Sequence, residues 1–231
     1  MRIGIIGSGQ IGGTLTRRLR AVGHEVAVAN SRGPASLKDL MRETGARAVS
    51  LDEVVQHKDI VVVAVPTNRI PDLPRGLFAD AKVELVVIDA SNYYPRQRDG
   101  RIAGIEDGPT ESGWVEQQLR RPVIKAFNTI LAKHLLEGGK PAGAAGRIAL
   151  AVAGDDPIAK AAAMRLIDEI GFDAVDAGSI AESWRQQPGS PGYLKDFDSA
   201  GVRQALAEAV HERGPEWRAT AKSPGSYESP A

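Results

Sequence analysis

The amino-acid sequence predicts an α/β protein built on a doubly wound, mostly parallel sheet, and three observations carry that expectation. The apolar run Ile3 to Ile6 meets a Gly7-x-Gly9-x-x-Gly12 turn, after which Ile11, Leu15, Leu19 and Val22 recur at helical spacing. The runs Asp59 to Val65 and Leu85 to Asp89 are continuous and largely β-branched, the pattern of strands covered on both faces. Strands and helices go on alternating as far as Asp176.

Taken in order, the glycine turn joins a first strand to a first helix, and Gly23-His24 leads into a second strand, Glu25 to Ala29. Pro34 opens and Gly45 closes a helix over Ala35 to Thr44, followed by a short strand at Arg47 to Ser50 and a helical turn near Asp52 to Gln56. Pro66 ends the next strand, with Thr67 or Asn68 as the candidate cap of a helix start. A helix over Ser112 to Leu119 tucks Trp114 and Leu119 inward and precedes a sixth strand, Val123 to Phe127. Arg147 to Ala153 is a strand, Asp156-Pro157 opens a helix reaching Ile170 with Ala162, Leu166 and Ile170 in one stripe, and Phe172 to Asp176 is a further strand. Two prolines and two glycines in five residues exclude a regular element over Glu182 to Tyr193. A last helix runs from Ser199 to Glu212, with Val202, Leu206 and Val210 in one row. The expected division is a Rossmann-type nucleotide-binding domain at 1–145, a small C-terminal α/β extension at 146–213 and a disordered tail at 214–231.

The 231 residues contain 29 acidic and 29 basic side chains, a balance that points to neither nucleic acid nor a charged membrane surface. The absence of cysteine excludes thiol catalysis, disulfides and thiolate metal sites. No apolar run reaches membrane-spanning length and the first residues lack signal-peptide anatomy, so a cytoplasmic protein is expected.

Each glycine of the turn has a physical task if a dinucleotide binds there. Gly7 allows the sharp turn, Gly9 lets the backbone approach a pyrophosphate, and Gly12 lets helix and strand pack closely. Ser8 and the first amides of the helix, at Gln10 and Ile11, then face the phosphates with the helix dipole behind them. The second strand ends in Asn30-Ser31-Arg32 and carries no carboxylate, the group that accepts ribose hydroxyls and repels a 2′-phosphate in NAD-preferring proteins. Asn30 and Ser31 offer hydrogen bonds and Arg32 a permanently charged donor fork, so NADP is expected over NAD, with Ser36 close enough to assist; the plainer alternative makes Arg32 a solvated loop residue. Lys38 is as well explained by an exposed helix position.

Ligands of doubly wound sheets lie beyond the carboxyl ends of the strands. Val65 and Pro66 occupy one such end. Ala90, Asn92 and Tyr93 occupy another, where a nicotinamide ring and a redox partner are expected, although the tyrosines could instead pack a loop. Asn128 and Thr129 deliver an amide and a hydroxyl to a third. The loop carrying Trp184 and Tyr193 either covers this cleft or braces a subunit contact.

Together, Ile6-Gly-Ser-Gly-Gln-Ile-Gly12, Asn30-Ser-Arg32, Val65-Pro66, Lys125-Ala-Phe-Asn-Thr-Ile130 and Val152-Ala-Gly-Asp-Asp156 resemble the NADPH-dependent coenzyme F420 reductases and the ferric reductase domains of the same architecture. The resemblance covers residues 1 to about 180. It implies hydride exchange between NADP(H) and a deazaflavin, coenzyme F420, whose place a flavin or another small molecule could take. It assigns Ser8 and the turn amides to the pyrophosphate, Ser31 and Arg32 to the 2′-phosphate, and the Asn128-Thr129 edge to the redox acceptor. The Asn92-Tyr-Tyr and Trp184-Arg-Gln-Gln-Pro-Gly stretches look like those of a bacterial subgroup whose acceptor the resemblance does not supply.

Hydride transfer between two bound rings needs orientation and exclusion of water rather than a nucleophile, so no catalytic side chain and no metal site are assigned. His24, His57, His134 and His211 are scattered, and His134 alone lies near the expected site. Two other functions stay open, an NADP-linked dehydrogenase or imine reductase and a non-catalytic NADP(H) sensor. The first needs a proton donor, and the Lys125-x-x-Asn128 spacing on a strand points the two side chains oppositely. The expected partner is a small-molecule acceptor, without nucleic acid or membrane, and a homodimer stays open.

Overall fold

The computed structural model describes residues 1–211 and 225–231. Six strands form one sheet in the order β3-β2-β1-β4-β5-β6. They are β1 (Arg2–Ile6), β2 (Glu25–Ala29), β3 (Arg47–Ala48), β4 (Ile60–Val63), β5 (Val86–Asp89) and β6 (Ile124–Lys125), and every pair is parallel. Strand order reverses between β1 and β4. Ligands of such sheets sit in the crevice at that switch point.

The first helix, α1 (Gln10–Ala21), buries Leu15 and Leu19 fully and stops before Val22, which caps it and is 42% exposed, outside the expected apolar row. Beyond β2 a 3₁₀ turn at Pro34–Leu37 runs into α2 (Lys38–Thr44), which ends at Gly45 in the left-handed conformation that glycine adopts without strain. Ser50 and Glu53 form a capping box at the start of α3 (Leu51–Val55). Neither Thr67 nor Asn68 caps the 3₁₀ turn Thr67–Asp72; Asn68 is instead held by Asp99 and the Arg98 carbonyl. The chain then passes through α4 (Ala103–Glu106) and α5 (Glu111–Leu119), where Thr110 caps the helix and Trp114 and Leu119 point inward.

After α6 (Ala132–Glu137), the alternation continues as β7 (Ala149–Val152), α7 (Pro157–Glu169) and β8 (Asp173–Asp176), with β7 and β8 parallel. Asp156 caps α7, accepting from the amides of Ile158 and Ala159 ahead of Pro157 in its first turn. This second sheet hangs on the edge of the first through an antiparallel bridge between Lys125 and Ala153. Leu150, Val152, Leu166, Ile170 and Phe172 belong to the same buried cluster as Ile3, Ile5 and Leu15. The extension therefore shares the core of the main sheet.

Two expectations are corrected downstream. Residues Ile180–Gln186 form a regular 3₁₀ helix opened by a Ser179–Glu182 capping box, because Pro188 and Pro191 fall only after it. The last helix, α8 (Ser199–Glu208), is shorter than expected, and Val210 lies beyond it at 76% exposure. Of the expected disordered tail, residues 214–224 lie outside the described residues. Residues 225–231 do carry structure: the Gly225 carbonyl accepts from Arg96 Nε, and the Ala231 amide donates to the Arg96 carbonyl.

Candidate functional site

The carboxyl ends of β1, β2 and β4 open onto a cavity of about 720 Å³ at the switch point. Gly7, Ser8 and Gly9 form its floor, Asn30, Ser31 and Arg32 one side, and Val65 and Pro66 the other. An adjoining cavity of about 520 Å³ shares Ser8, Gly9 and Arg32 and adds Gln10 and Ser36. Ten of the residues expected to hold a nucleotide from the sequence are thus gathered around two connected openings.

The three glycines differ in why they are glycine. Gly7 has φ +105°, and a Cβ there would lie 2.3 Å from the Ala64 carbonyl oxygen. A Cβ at Gly12 would lie 2.0 Å from the Gly7 oxygen. Both are demanded by packing. Gly9 has an ordinary extended backbone, φ −70° and ψ −163°, and a Cβ there would meet nothing within 4 Å. The fold leaves position 9 open, so what glycine preserves there is free space over the turn.

The helix behind that space begins without a side-chain cap, as do the shorter α2, α4 and α6, whereas α3, α5, α7 and α8 are capped by Ser50, Thr110, Asp156 and Asp198. The first amides of a twelve-residue helix are therefore left for an outside acceptor, with the positive end of the dipole behind them. Among the described residues, the Arg32 guanidinium has no hydrogen-bond or ion-pair partner, although its own backbone amide is held by Asn30 Oδ1 at 3.1 Å. Asn30 does more than was expected of it. Its Nδ2 donates to Ser8 Oγ at 2.9 Å and to Ser36 Oγ at 3.0 Å, so one amide ties the glycine turn, the Arg32 loop and the next turn together. These residues fit a dinucleotide carrying an extra phosphate: an open cradle, uncapped amides and an uncommitted guanidinium.

The β5 and β6 rims are built differently. Asp89 and Lys125 are both fully buried and paired at 3.1 Å. Asp89 also accepts from the Ser91 amide, Ser91 Oγ and Ser112 Oγ, and Lys125 Nζ donates to the Ser91 carbonyl, so the pair pins the turn that follows β5. Lys125 has no route to a substrate as a proton donor. Phe127 adopts φ +65°, which breaks the strand alternation and swings Asn128 into the same region. Asn92 Nδ2 donates to the Asn128 carbonyl at 2.9 Å. Asn128 Nδ2 donates to the Gln186 carbonyl at 2.6 Å, and Gln186 Nε2 returns to Asn128 Oδ1 at 3.0 Å.

Several expected contacts are corrected by this arrangement. Tyr93 is fully buried, its hydroxyl committed to the Gly100 carbonyl, Glu106 and the Ile102 amide, and its phenol pushed well up by burial; it packs the core and faces no acceptor. Asn128, at 2% exposure, spends its amide on Asn92 and Gln186. Thr129 is buried and its carbonyl accepts from the Leu194 amide at 2.9 Å. Ala90 is buried in the core, and the Ile11 side chain packs against it, which leaves only the Ile11 amide for a ligand. His134 is paired with Asp196 at 2.6 Å and lines neither cavity.

Sequence reasoning missed other residues. Arg17 and Thr14 line the smaller cavity beside the expected Gln10 along one face of α1, a stripe the 10-14-17 spacing made available; Arg17 is clamped by Glu43 at 2.6 Å. Lys133 joins them from α6. Tyr94 rather than Tyr93 reaches the C-terminal loop, its hydroxyl meeting that of Tyr193 while Arg98 lies 5.1 Å over its ring. With Gln186 and Leu194 tied to the β6 rim, that loop covers the β5–β6 edge of its own chain.

Comparison with known proteins agrees with this geometry. Residues 2–93, which hold the glycine turn, Arg32 and the β4 and β5 rims, match the family described as NADP oxidoreductase, coenzyme F420-dependent. YjhV of Escherichia coli K12 is 43% identical over 95 residues, covering 41% of this chain and 62% of YjhV, so the chain spans less than two thirds of that relative. The solved structure of the hypothetical protein SMa0349 from Sinorhizobium meliloti is 30% identical with a TM-score of 0.73, covering 85% of this chain and 95% of that one. A proposed F420-dependent NADP reductase from Arthrobacter sp. FB24 shares the fold at 22% identity, with a TM-score of 0.66 over 79% of this chain and 87% of its own. The nucleotide-binding part, residues 2–93, thus matches the family of coenzyme F420-dependent NADP oxidoreductases, and the chain is similar to SMa0349 along nearly the whole of that protein.

Proposed function

We propose that this protein is an NADP(H)-dependent oxidoreductase that exchanges a hydride with a planar redox partner of the deazaflavin or flavin class. One observation carries the nucleotide assignment: the end of β2 presents an uncommitted guanidinium, Arg32, and no carboxylate, on the wall of a cavity whose floor has room over Gly9. The match of residues 2–93 to the coenzyme F420-dependent NADP oxidoreductases supports the redox chemistry. Bound NADPH supplies the hydride.

The chain's own residues bind and orient. The uncapped amides of α1 and Ser8 take the pyrophosphate, and Ser31, Arg32 and Ser36 take the 2′-phosphate. Val65 and Pro66 line the cavity on the β4 side, where they would border the dinucleotide. The buried Asp89–Lys125 pair holds the turn after β5 in place, and the Gln186 to Leu194 loop keeps water from the β5–β6 edge. No side chain is required to move a proton in such a transfer, and Lys125, the donor a dehydrogenase or imine reductase would need here, is sealed in its ion pair.

Arg32→Ala tests the assignment. Loss of one charge-assisted phosphate contact, about 1.5–3 kcal/mol, weakens NADPH by roughly ten- to a hundredfold while leaving NADH unchanged; equal loss for both refutes it. Stopped-flow oxidation of bound NADPH against deazaflavin, flavin and ferric acceptors then identifies the acceptor, and failure of every one overturns the redox assignment.

A further inference from the structure

The larger cavity contains a second arginine that the phosphate does not account for. Arg69, which follows β4, lines it together with Arg32. Its backbone is fixed on both flanks: Asn68 is bonded to the turn at Arg98 and Asp99, and Ile70 is 1% exposed in the core. Its side chain remains 68% exposed, tethered by a single ion pair to Asp72 at 3.3 Å. The arginine is held in place without being used up.

The remaining walls on that side are aliphatic, Leu51, Val65, Pro66, Leu73 and Pro74, and no aromatic side chain lines the cavity among the described residues. A purine needs a flat partner for its face. Here the planar side-chain groups suited to that are the guanidiniums, and Arg32 is engaged by the phosphate in the proposed function. Guanidinium planes stack on π systems, and the weak hydration of the group makes this cheaper than for an ammonium.

We propose that Arg69 is the base-binding residue of this site: its guanidinium, oriented by Asp72, covers the adenine face of the nucleotide, so that Arg69 sets affinity for the adenosine half independently of the 2′-phosphate while Arg32 sets phosphate preference. The inference rests on the nucleotide assignment above, and its test separates the two. Dissociation constants of NADPH, NADH and 5′-AMP are measured by calorimetry for the wild-type protein and for Arg69→Ala, Arg69→Lys and Arg32→Ala, with circular dichroism to confirm folding. Arg69→Ala weakens all three ligands by a common factor of about ten. Arg69→Lys, which keeps the charge and loses the plane, behaves like Arg69→Ala. Arg32→Ala affects NADPH alone. Loss confined to NADPH in Arg69→Ala makes Arg69 a phosphate ligand and overturns the inference, as does full rescue by lysine or an unchanged affinity. If the wild-type protein binds none of the three, the nucleotide assignment itself has failed.

Discussion

Two glycines of one motif should fail in opposite ways when given a side chain. At position 12 an alanine Cβ lies 2.0 Å from the Gly7 oxygen and 2.9 Å from its carbon, against the 3.4 Å at which ordinary contact begins. Both neighbours are backbone, so the β1–α1 turn must open by about an ångström, at or above the upper end of the ~1–3 kcal/mol typical of overpacking. For a chain of this length, about 3 kcal/mol lowers Tm by roughly 6–12 °C. At position 9 a valine meets no protein atom within 4 Å of its Cβ and the backbone is unstrained. The cost there is about 1 kcal/mol or less, that of a poorer helix start. Its methyls, however, occupy the space over the uncapped amides, and losing one or two charge-assisted hydrogen bonds at ~1.5–3 kcal/mol each removes at least tenfold in affinity for either nucleotide. Thermal melting paired with NADPH titration reads both effects. A folded Gly9→Val that binds NADPH as tightly as the parent refutes the cradle, and a Gly12→Ala of unchanged Tm refutes the packing argument.

Lys125→Met strands Asp89 with only its serine donors, and urea unfolding should show a loss near 3 kcal/mol, the low end for a broken buried pair; a loss below about 1 kcal/mol would mean that the pair is not shielded from water. Burial alone would raise the Asp59 carboxyl, but the Arg2 amide and the Lys82 ammonium outweigh it and hold the pKa down to about 2. Its stabilisation is therefore complete above the unfolded value of about 4 and lost as pH falls from there toward 2; Asp59→Asn should flatten stability in that window alone, as acid titration of the circular dichroism signal would show. Asn30→Asp keeps acceptors for the Arg32 amide and for hydroxyls of Ser8 and Ser36, yet places a negative charge beside the phosphate wall. It should lower the NADPH to NADH affinity ratio by tenfold or more, and an unchanged ratio would place the phosphate elsewhere.

What the sequence disclosed and what it hid divide along the range of the interactions. The β1–turn–α1 unit, the capped start of α7 and the Asn30-Ser31-Arg32 end of β2 are written in neighbouring residues, and the fold places them as the local chemistry demands. Tyr93 and Tyr94 illustrate the opposite case. Both sit on the same rim, and only the backbone path decides that the first enters the core while the second meets Tyr193, 99 positions away. Lys125 was readable as a strand residue, but its complete burial depends on Asp89, 36 positions earlier. The alternation rule failed at Asn128 because β6 ends at Lys125 and Phe127 turns left-handed. The Ser179–Glu182 capping box was present as a Ser-x-x-Glu spacing and was masked by the prolines that come after it.

The two ends of the cleft differ in how their polar atoms are spent, and that difference bears on selectivity. On the β1–β2 side, Arg32 and the α1 amides are uncommitted, so a ligand there gains charge-assisted bonds that discriminate sharply between a phosphate and a hydroxyl. On the β5–β6 side, Asn92, Asn128 and Gln186 bond one another and Tyr93 is closed in the core. A redox partner docking at that rim would find side-chain hydrogen bonds already made, and breaking one to bind it leaves a buried amide unpaired at ~1–3 kcal/mol. Selection of a partner proposed for this end would therefore fall to shape, set by the Gln186 to Leu194 loop and the Tyr94–Tyr193 contact. Shape discriminates weakly between planar rings of similar size, whereas the charged end discriminates strongly, so under the proposed function the chain would be stricter about its nucleotide than about its acceptor.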